Sequence, residues 1–247
     1  MSEVGAATRA MQGIDRGYGG ERMLAERICR ACMDGLDVDG AVLSLLTARD
    51  SRTTLWASDT TAQRLEDLQF TLNEGACMEA ATTGRPVLIP DLLDDAGTAR
   101  WPMFAAAATE HTGVRALFAL PLQWGTVNLG VLDLYRMAPG GLSAVQCRDA
   151  VSAADTAALM ILGDRTDPAG THSGSRHGDL TDGLGWLEPA ISYRAEIHQA
   201  TGMVLAQLGT SATDALARLR AHAFVEQRLL LDVAHDVVSR NLTFSEK

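Results

Sequence analysis

The chemistry available to this chain lies in its four cysteines and in a short run of basic residues near the C-terminus. Cys29-Arg-Ala-Cys32 has the spacing of a dithiol pair or of half a zinc site. Zinc needs about four ligands, and no second pair or histidine partner lies nearby in sequence, so on a helix these thiols read as core. Cys77 follows a Gly-containing turn. A nucleophilic thiol needs thiolate character and, for turnover, a resolving thiol close by, and no cysteine falls between Cys32 and Cys77 or soon after. Arg218, Arg220 and His222, with Arg194 upstream, form the basic group. Guanidinium can bind phosphate bidentately or stack on an unpaired base, but residues two apart on a helix face different ways, so only some of the cluster can meet one ligand. No Gly-rich phosphate loop, metal-ligand motif or nucleophile elbow occurs, so no metal or cofactor is implied.

The chain has 247 residues with a formal net charge of -10, and 47% of its residues are hydrophobic. That length permits one large domain or two small ones, each with its own core. The negative balance repels polyanions at long range and excludes a nonspecific nucleic-acid coat protein, while leaving room for a local binding face. The N-terminus has no apolar signal region. No apolar run approaches the roughly 20 residues needed to span a bilayer, so the expectation is a cytoplasmic protein with reduced thiols and no membrane partner.

The elements that must position these groups follow from periodicity. Residues 1–20 are Gly-rich and polar and are expected to be mobile. From residue 21, Met23, Leu24, Ile28, Ala31 and Leu36 recur at helical spacing. Residues 41–47 and 53–57 read as a hairpin across a charged turn. Helices are expected at 61–68, 76–83 and about 100–110, with a short strand at 86–89 between the last two. Val114 to Leu122 alternate as a strand, 131–135 follow as its partner, and Ser143-Ala-Val-Gln146 has the form of a capping box opening a helix. Residues 21–163 thus suit an α+β domain with an antiparallel sheet flanked by helices. Residues 164–186, rich in Gly, Asp, Thr and Ser, read as a linker. Residues 187–247 then show three amphipathic stripes, a minimal all-α bundle more plausible in a dimer than alone. Ala200, Gly202, Ala215 and Ala223 read there as packing residues.

Two families are suggested by particular residues. The first domain resembles a GAF domain through Leu72-Asn-Glu-Gly-Ala-Cys77, Pro86-Val-Leu-Ile-Pro-Asp91, Trp101-Pro102, Gly113-Val-Arg-Ala116, and Leu120-Pro-Leu122 with Gly130-Val-Leu-Asp133. The last sixty residues resemble an ANTAR domain through Arg194, Ile197, Ala200, Gly202, Asp214-Ala215, Leu219-Arg220, Ala223 and Val233-Ala234. The order of the two is similar to that of bacterial antitermination regulators, in which a paired ANTAR bundle binds hairpins of a leader transcript.

The resemblance implies a nonenzymatic, homodimeric regulator. Its GAF domain would sense a small molecule or a signalling protein, and its ANTAR domain would bind hairpin RNA through Arg194, Thr201, Arg218, Arg220 and His222. Thr201 stands where many family members carry Lys. The sensor pocket would be lined by Trp56, Asp59, Asp91, Trp101 and Arg115, although tryptophans at such positions are more often core. Acids and bases are balanced after Glu188, so bulk charge adds nothing to RNA binding. Two other functions are open: a dimerising protein-interaction module, and a free methionine sulfoxide reductase, a GAF-fold enzyme class that would use Cys77.

Overall fold

The computed structural model describes residues 4–14, 20–47, 51–166, 188–226 and 228–245. Contacts divide the chain into two compact units, one built around a sheet and one of helices alone.

The sheet unit runs α1 (Ala6–Gln12), α2 (Gly20–Leu36), β1 (Gly40–Thr47), β2 (Ser51–Ala57), α3 (Thr60–Leu72), α4 (Ala76–Thr83), β3 (Val87–Ile89), α5 (Asp95–Arg100), α6 (Pro102–Thr112), β4 (Ala116–Trp124), β5 (Val127–Arg136) and α7 (Ala144–Thr166). The strand order is β2-β1-β5-β4-β3, and every pair is antiparallel. Because side chains alternate across a strand, register sorts the residues into two faces. Val42 opposite Asp133 and Ala119 opposite Asp133 place these three on one face, toward α3 and α4. Leu43 and Leu132 lie on the other, where α2 and α7 pack on each other and on the sheet. Both faces of β4 are covered, which is why its residues from Ala116 to Leu122 are all buried.

Local signals explain the helix ends. Ser143 and Gln146 form the expected capping box, with Ser143 N donating to Gln146 Oε1 at 3.0 Å and Gln146 N to Ser143 Oγ at 3.3 Å. The helix expected near 100–110 is α6, and the short helix α5 precedes it. Trp101 stands between them with φ -140 and ψ 72, because a residue before proline is pushed out of the α region and Pro102 then opens α6. The helix expected at 61–68 extends to Leu72, where Asn73 takes the left-handed conformation at φ 54.

The N-terminal segment departs from expectation more clearly. Residues 1–20 contain α1, whose Ala7 and Met11 are buried at 0% and 1% exposure. Its N-cap Gly5 has no side chain to offer. Asp149 of α7 supplies the anion instead: its carboxylate accepts from Ala7 N at 2.9 Å, Thr8 N at 3.1 Å and Thr8 Oγ1 at 2.7 Å. A carboxylate at the start of a helix satisfies orphan N–H groups and favours the dipole, and this partner lies too far away in sequence for periodicity to reveal.

The helical unit consists of α8 (Glu188–Leu208), α9 (Ala212–Val225) and α10 (Leu230–Val238). Ile197, Ala200, Val204, Ala215, Leu219, Ala223, Val233, Ala234 and Val237 form its core. Ser211 caps α9, its Oγ accepting from Asp214 N at 3.1 Å, and Gly209 turns the chain out of α8 at φ 60. Of the expected linker, 164–166 belong to α7, and the rest lies outside the described residues.

Candidate functional site

The face of the sheet toward α3 and α4 carries a buried polar cluster. Arg52 and Thr54 come from β2, Ser44 from β1, Asp133 from β5, Glu66 and Gln69 from α3, and Cys77 from the first turn of α4. Glu66 Oε1 accepts from Ser44 Oγ, Arg52 Nε and Thr54 Oγ1, each at 3.1 Å, and Arg52 Nη2 lies 3.0 Å from Glu66 Oε2. Arg52 Nη1 donates to Cys77 Sγ. Gln69 joins the two ends, donating to Asp133 Oδ2 at 3.2 Å and accepting from Cys77 N at 2.7 Å.

The loop between α3 and α4 makes this approach possible. Gly75 has φ 114, and a Cβ there would sit 2.6 Å from Gln69 Oε1, so a side chain would expel Gln69 from the start of α4. Glu74, in the same loop, turns the other way and accepts from Met103 N and Phe104 N at 3.2 and 3.0 Å, capping α6 where Trp101 cannot.

Burial governs the electrostatics. Asp133 is pushed up to about 6, first by loss of water and then by the Glu66 charge, with Arg52 opposing both. Burial pushes the Cys77 thiol well above its usual range, although Arg52 acts to lower it. Burial would depress Arg52, but the surrounding acidic groups more than offset it and hold the guanidinium charged. Glu66, Cys77 and Asp133 could offer ligand atoms within 4.8 Å of one another, yet a cation among them would face the Arg52 guanidinium. The group is a charge-compensated polar core that ties β1, β2 and β5 to α3 and α4.

Each of the expected pocket residues has partners of its own. Arg115 Nε and Nη2 donate to Asp91 at 2.9 and 2.6 Å, and that bidentate bond holds the Asp91 carboxylate below its usual range. Asp59 caps α3 by accepting from Ala62 N at 2.8 Å and accepts from the Tyr135 hydroxyl at 3.0 Å. Trp101 is buried edge-on to Phe104, with Arg100 over its ring. Trp56 is half-buried on β2 opposite Leu43. Only Asp91 and Arg115 are joined by a direct bond. Arg52, Glu66, Gln69 and Asp133 are not among the site residues expected from sequence, where Asp133 counts only toward the family resemblance; the available signal was that it is a lone acid in the apolar run Val131 to Leu134.

In the helical unit Arg218 is exposed and Arg220 half-buried, as two residues on different sides of one helix must be. Burial lowers the Arg220 guanidinium from its ordinary value. His222 meets Phe244 edge-on, ring centroids 5.5 Å apart. Thr201 is buried and donates to Ile197 O at 2.7 Å, so it is spent on its own helix. Arg194 lies in α8, its side chain outside the described residues. Ala200, Ala215 and Ala223 are fully buried. Gly202, expected to permit close packing, is exposed, and a Cβ there would meet nothing within 4 Å.

The sequence matches the GAF domain over residues 20–162 and the ANTAR domain over residues 187–238. The chain belongs to the GAF-domain family and carries an ANTAR domain. The buried polar cluster lies wholly within the GAF domain, and α8 to α10 supply the ANTAR domain. Similar solved structures include a domain of a sensor histidine kinase protein from Sinorhizobium meliloti 1021, at 16% identity and TM-score 0.49, covering 63% of this chain and 100% of that one. Another is the GAF domain of a phosphoenolpyruvate-protein phosphotransferase from Coxiella burnetii, at 14% identity and TM-score 0.49, covering 66% and 92%. A third is the free methionine-R-sulfoxide reductase of Neisseria meningitidis with its substrate, at 12% identity and TM-score 0.45, covering 65% and 86%. No curated protein matches the chain. Among the described residues no helix is long and apolar enough to cross a membrane.

Proposed function

We propose that this chain is a signal-responsive RNA-binding regulator: its GAF domain senses a small molecule or a signalling protein, and its ANTAR domain, in a cytoplasmic homodimer, binds hairpins of a leader transcript and promotes antitermination. The observation that carries the reading is the order of the two domains in one chain, sensor first and ANTAR second. For the signal to act as a switch it must bind two arrangements of the dimer with different affinity.

Two observations bear on the rival readings. Cys77 is fully buried with its thiol pushed up by burial, whereas a reductase needs an accessible thiolate, so this residue favours a regulator over an enzyme. Phe224 and Val225 are 50% and 74% exposed on α9, which favours a protein-interaction role for that helix. Binding of a two-hairpin RNA by the full chain, titrated across salt, separates RNA recognition from protein interaction. The expected result is binding that weakens steadily with salt. Absence of any shift at low salt, with and without an extract of candidate small ligands, would overturn the RNA reading.

A further inference from the structure

We propose that the buried polar cluster of the GAF domain is a proton-operated switch, in which Asp133 gains or loses a proton in the folded chain and Gln69 passes the change to the first turn of α4. Charge compensation in the cluster is complete in one protonation state only. Arg52 supplies the positive charge, and Glu66 takes it with both carboxylate oxygens, Oε1 lying 3.1 Å from Nε and Oε2 3.0 Å from Nη2. Asp133, buried at 8% exposure, bonds instead to the Gln69 amide and the Cys77 thiol, both neutral. A second carboxylate so placed is relieved of its desolvated charge by taking up a proton. The charged and titratable groups facing it are Glu66 on α3, Arg52 on β2 and Cys77 on α4; its neighbours in register, Val42 on β1 and Ala119 on β4, carry no charge. Its value of about 6 brings the exchange within reach of mild acid.

The bonds of Gln69 are those of the ionised state. A backbone N–H can only donate, so Cys77 N, 2.7 Å away, fixes Oε1 on its side of the amide and leaves Nε2 to donate to Asp133 Oδ2 at 3.2 Å. A protonated Asp133 becomes a donor. The Cys77 thiol already bonds to Asp133 and accepts from Arg52, so the acceptor left for the new O–H is Gln69 Oε1, which it meets when the amide turns over. Nε2 then faces the Cys77 N–H, donor against donor, and the bond at the start of α4 is lost. The loop has no slack to absorb the turn, because a Cβ at Gly75 would lie 2.6 Å from Oε1 and 2.7 Å from Cγ of Gln69. On one side of Gly75, Glu74 holds the start of α6 through Met103 N and Phe104 N; on the other, α4 carries Glu79, paired with Arg100 of α5. A proton in the core thus reaches three helices. This switch rests on the reading of the GAF domain as a sensor, and its test involves no RNA, so the two can fail separately.

Amide and carboxyl resonances of the full chain, followed from about pH 5 to 7 around the Asp133 value of about 6, test it. On acidification the Asp133 carboxyl carbon and the Cys77 backbone N–H are expected to shift together with one midpoint near 6, the amide proton moving upfield as its hydrogen bond is lost. A Cys77 signal that stays fixed while Asp133 titrates would overturn the switch, as would an Asp133 carboxyl that does not titrate in this window; both are read on the unaltered chain. Histidines titrate in the same range, so Asp133→Asn is the control, and its Cys77 amide is expected to stay fixed. Gln69→Met keeps the acid and removes the relay: Asp133 should still titrate, while the shift at Cys77 falls to a small part of its original size. A Cys77 shift of full size in either variant would overturn the proposal.

Discussion

The guanidinium of Arg52 and the carboxylate of Glu66 lie 3.0 Å apart in the interior of the GAF domain, 4% and 2% exposed. Both ions have given up water, and Ser44 and Thr54 add bonds to the same carboxylate oxygen. Removing one partner leaves the other charge buried and uncompensated, which costs about 3–5 kcal/mol. Arg52→Met is therefore expected to lower the unfolding free energy by that amount in urea titrations. The double variant Arg52→Met with Glu66→Leu should lose less than Arg52→Met alone, because the Glu66 charge is no longer stranded. Additive losses would show that the pair is not coupled.

Asp133 gives this cluster a pH dependence. Its folded-state value of about 6 lies above the ordinary carboxylate value of 3.8. Between these two values the folded chain holds a proton that the unfolded chain has released, so stability falls as pH rises from about 4 to 6 and levels off above. The contribution is on the order of 2–3 kcal/mol. Asp133→Asn cannot release a proton, and its denaturation midpoint is expected to fall less over this window than that of the wild type. Parallel curves for the two proteins would refute the assignment.

Thiol accessibility separates the cysteines. Cys29, Cys32 and Cys77 are buried and Cys147 is partly exposed, and burial pushes both thiols of the Cys29 and Cys32 pair upward. Under native conditions an aromatic disulfide reagent is expected to modify Cys147 first, with the other three reacting only on unfolding. Rapid native labelling of Cys77 would contradict the buried cluster and revive an enzymatic role for that thiol.

What could be read from sequence was what repeats locally. Alternation located β4, the turn after it located β5 as its partner, the Ser143–Gln146 box located the start of α7, and the stripes of α8 to α10 located a core that Ala200, Ala215 and Ala223 do fill. What could not be read depends on distant partners. The seven residues of α1 are too few to show a period, and the helix is held by Asp149 from α7. Arg52 looks like part of a charged turn until Glu66 from α3 is placed beneath it. Gln69 and Gly75 acquire meaning only from each other. The polar cluster was therefore hidden by contact distance in the chain rather than by residue type.

Arg218 and Arg220 give the sharpest test of the RNA reading, because one helix presents them to different environments. Arg218 is exposed, so Arg218→Ala should change stability by no more than about 0.5 kcal/mol while weakening RNA binding and reducing the slope of log affinity against log salt by roughly 0.7–1, the signature of one lost phosphate contact. Arg220 is half-buried, and its guanidinium is lowered by that burial. Arg220→Ala is expected to cost about 1 kcal/mol of ANTAR-domain stability, so any loss of RNA affinity must be compared at matched folded fraction. A variant at Arg220 that binds normally once corrected for folding would make it a packing residue and leave Arg218 as the contact. Loss at Arg220 with an unchanged salt slope would instead indicate base stacking, since a stacked guanidinium displaces no phosphate counterion.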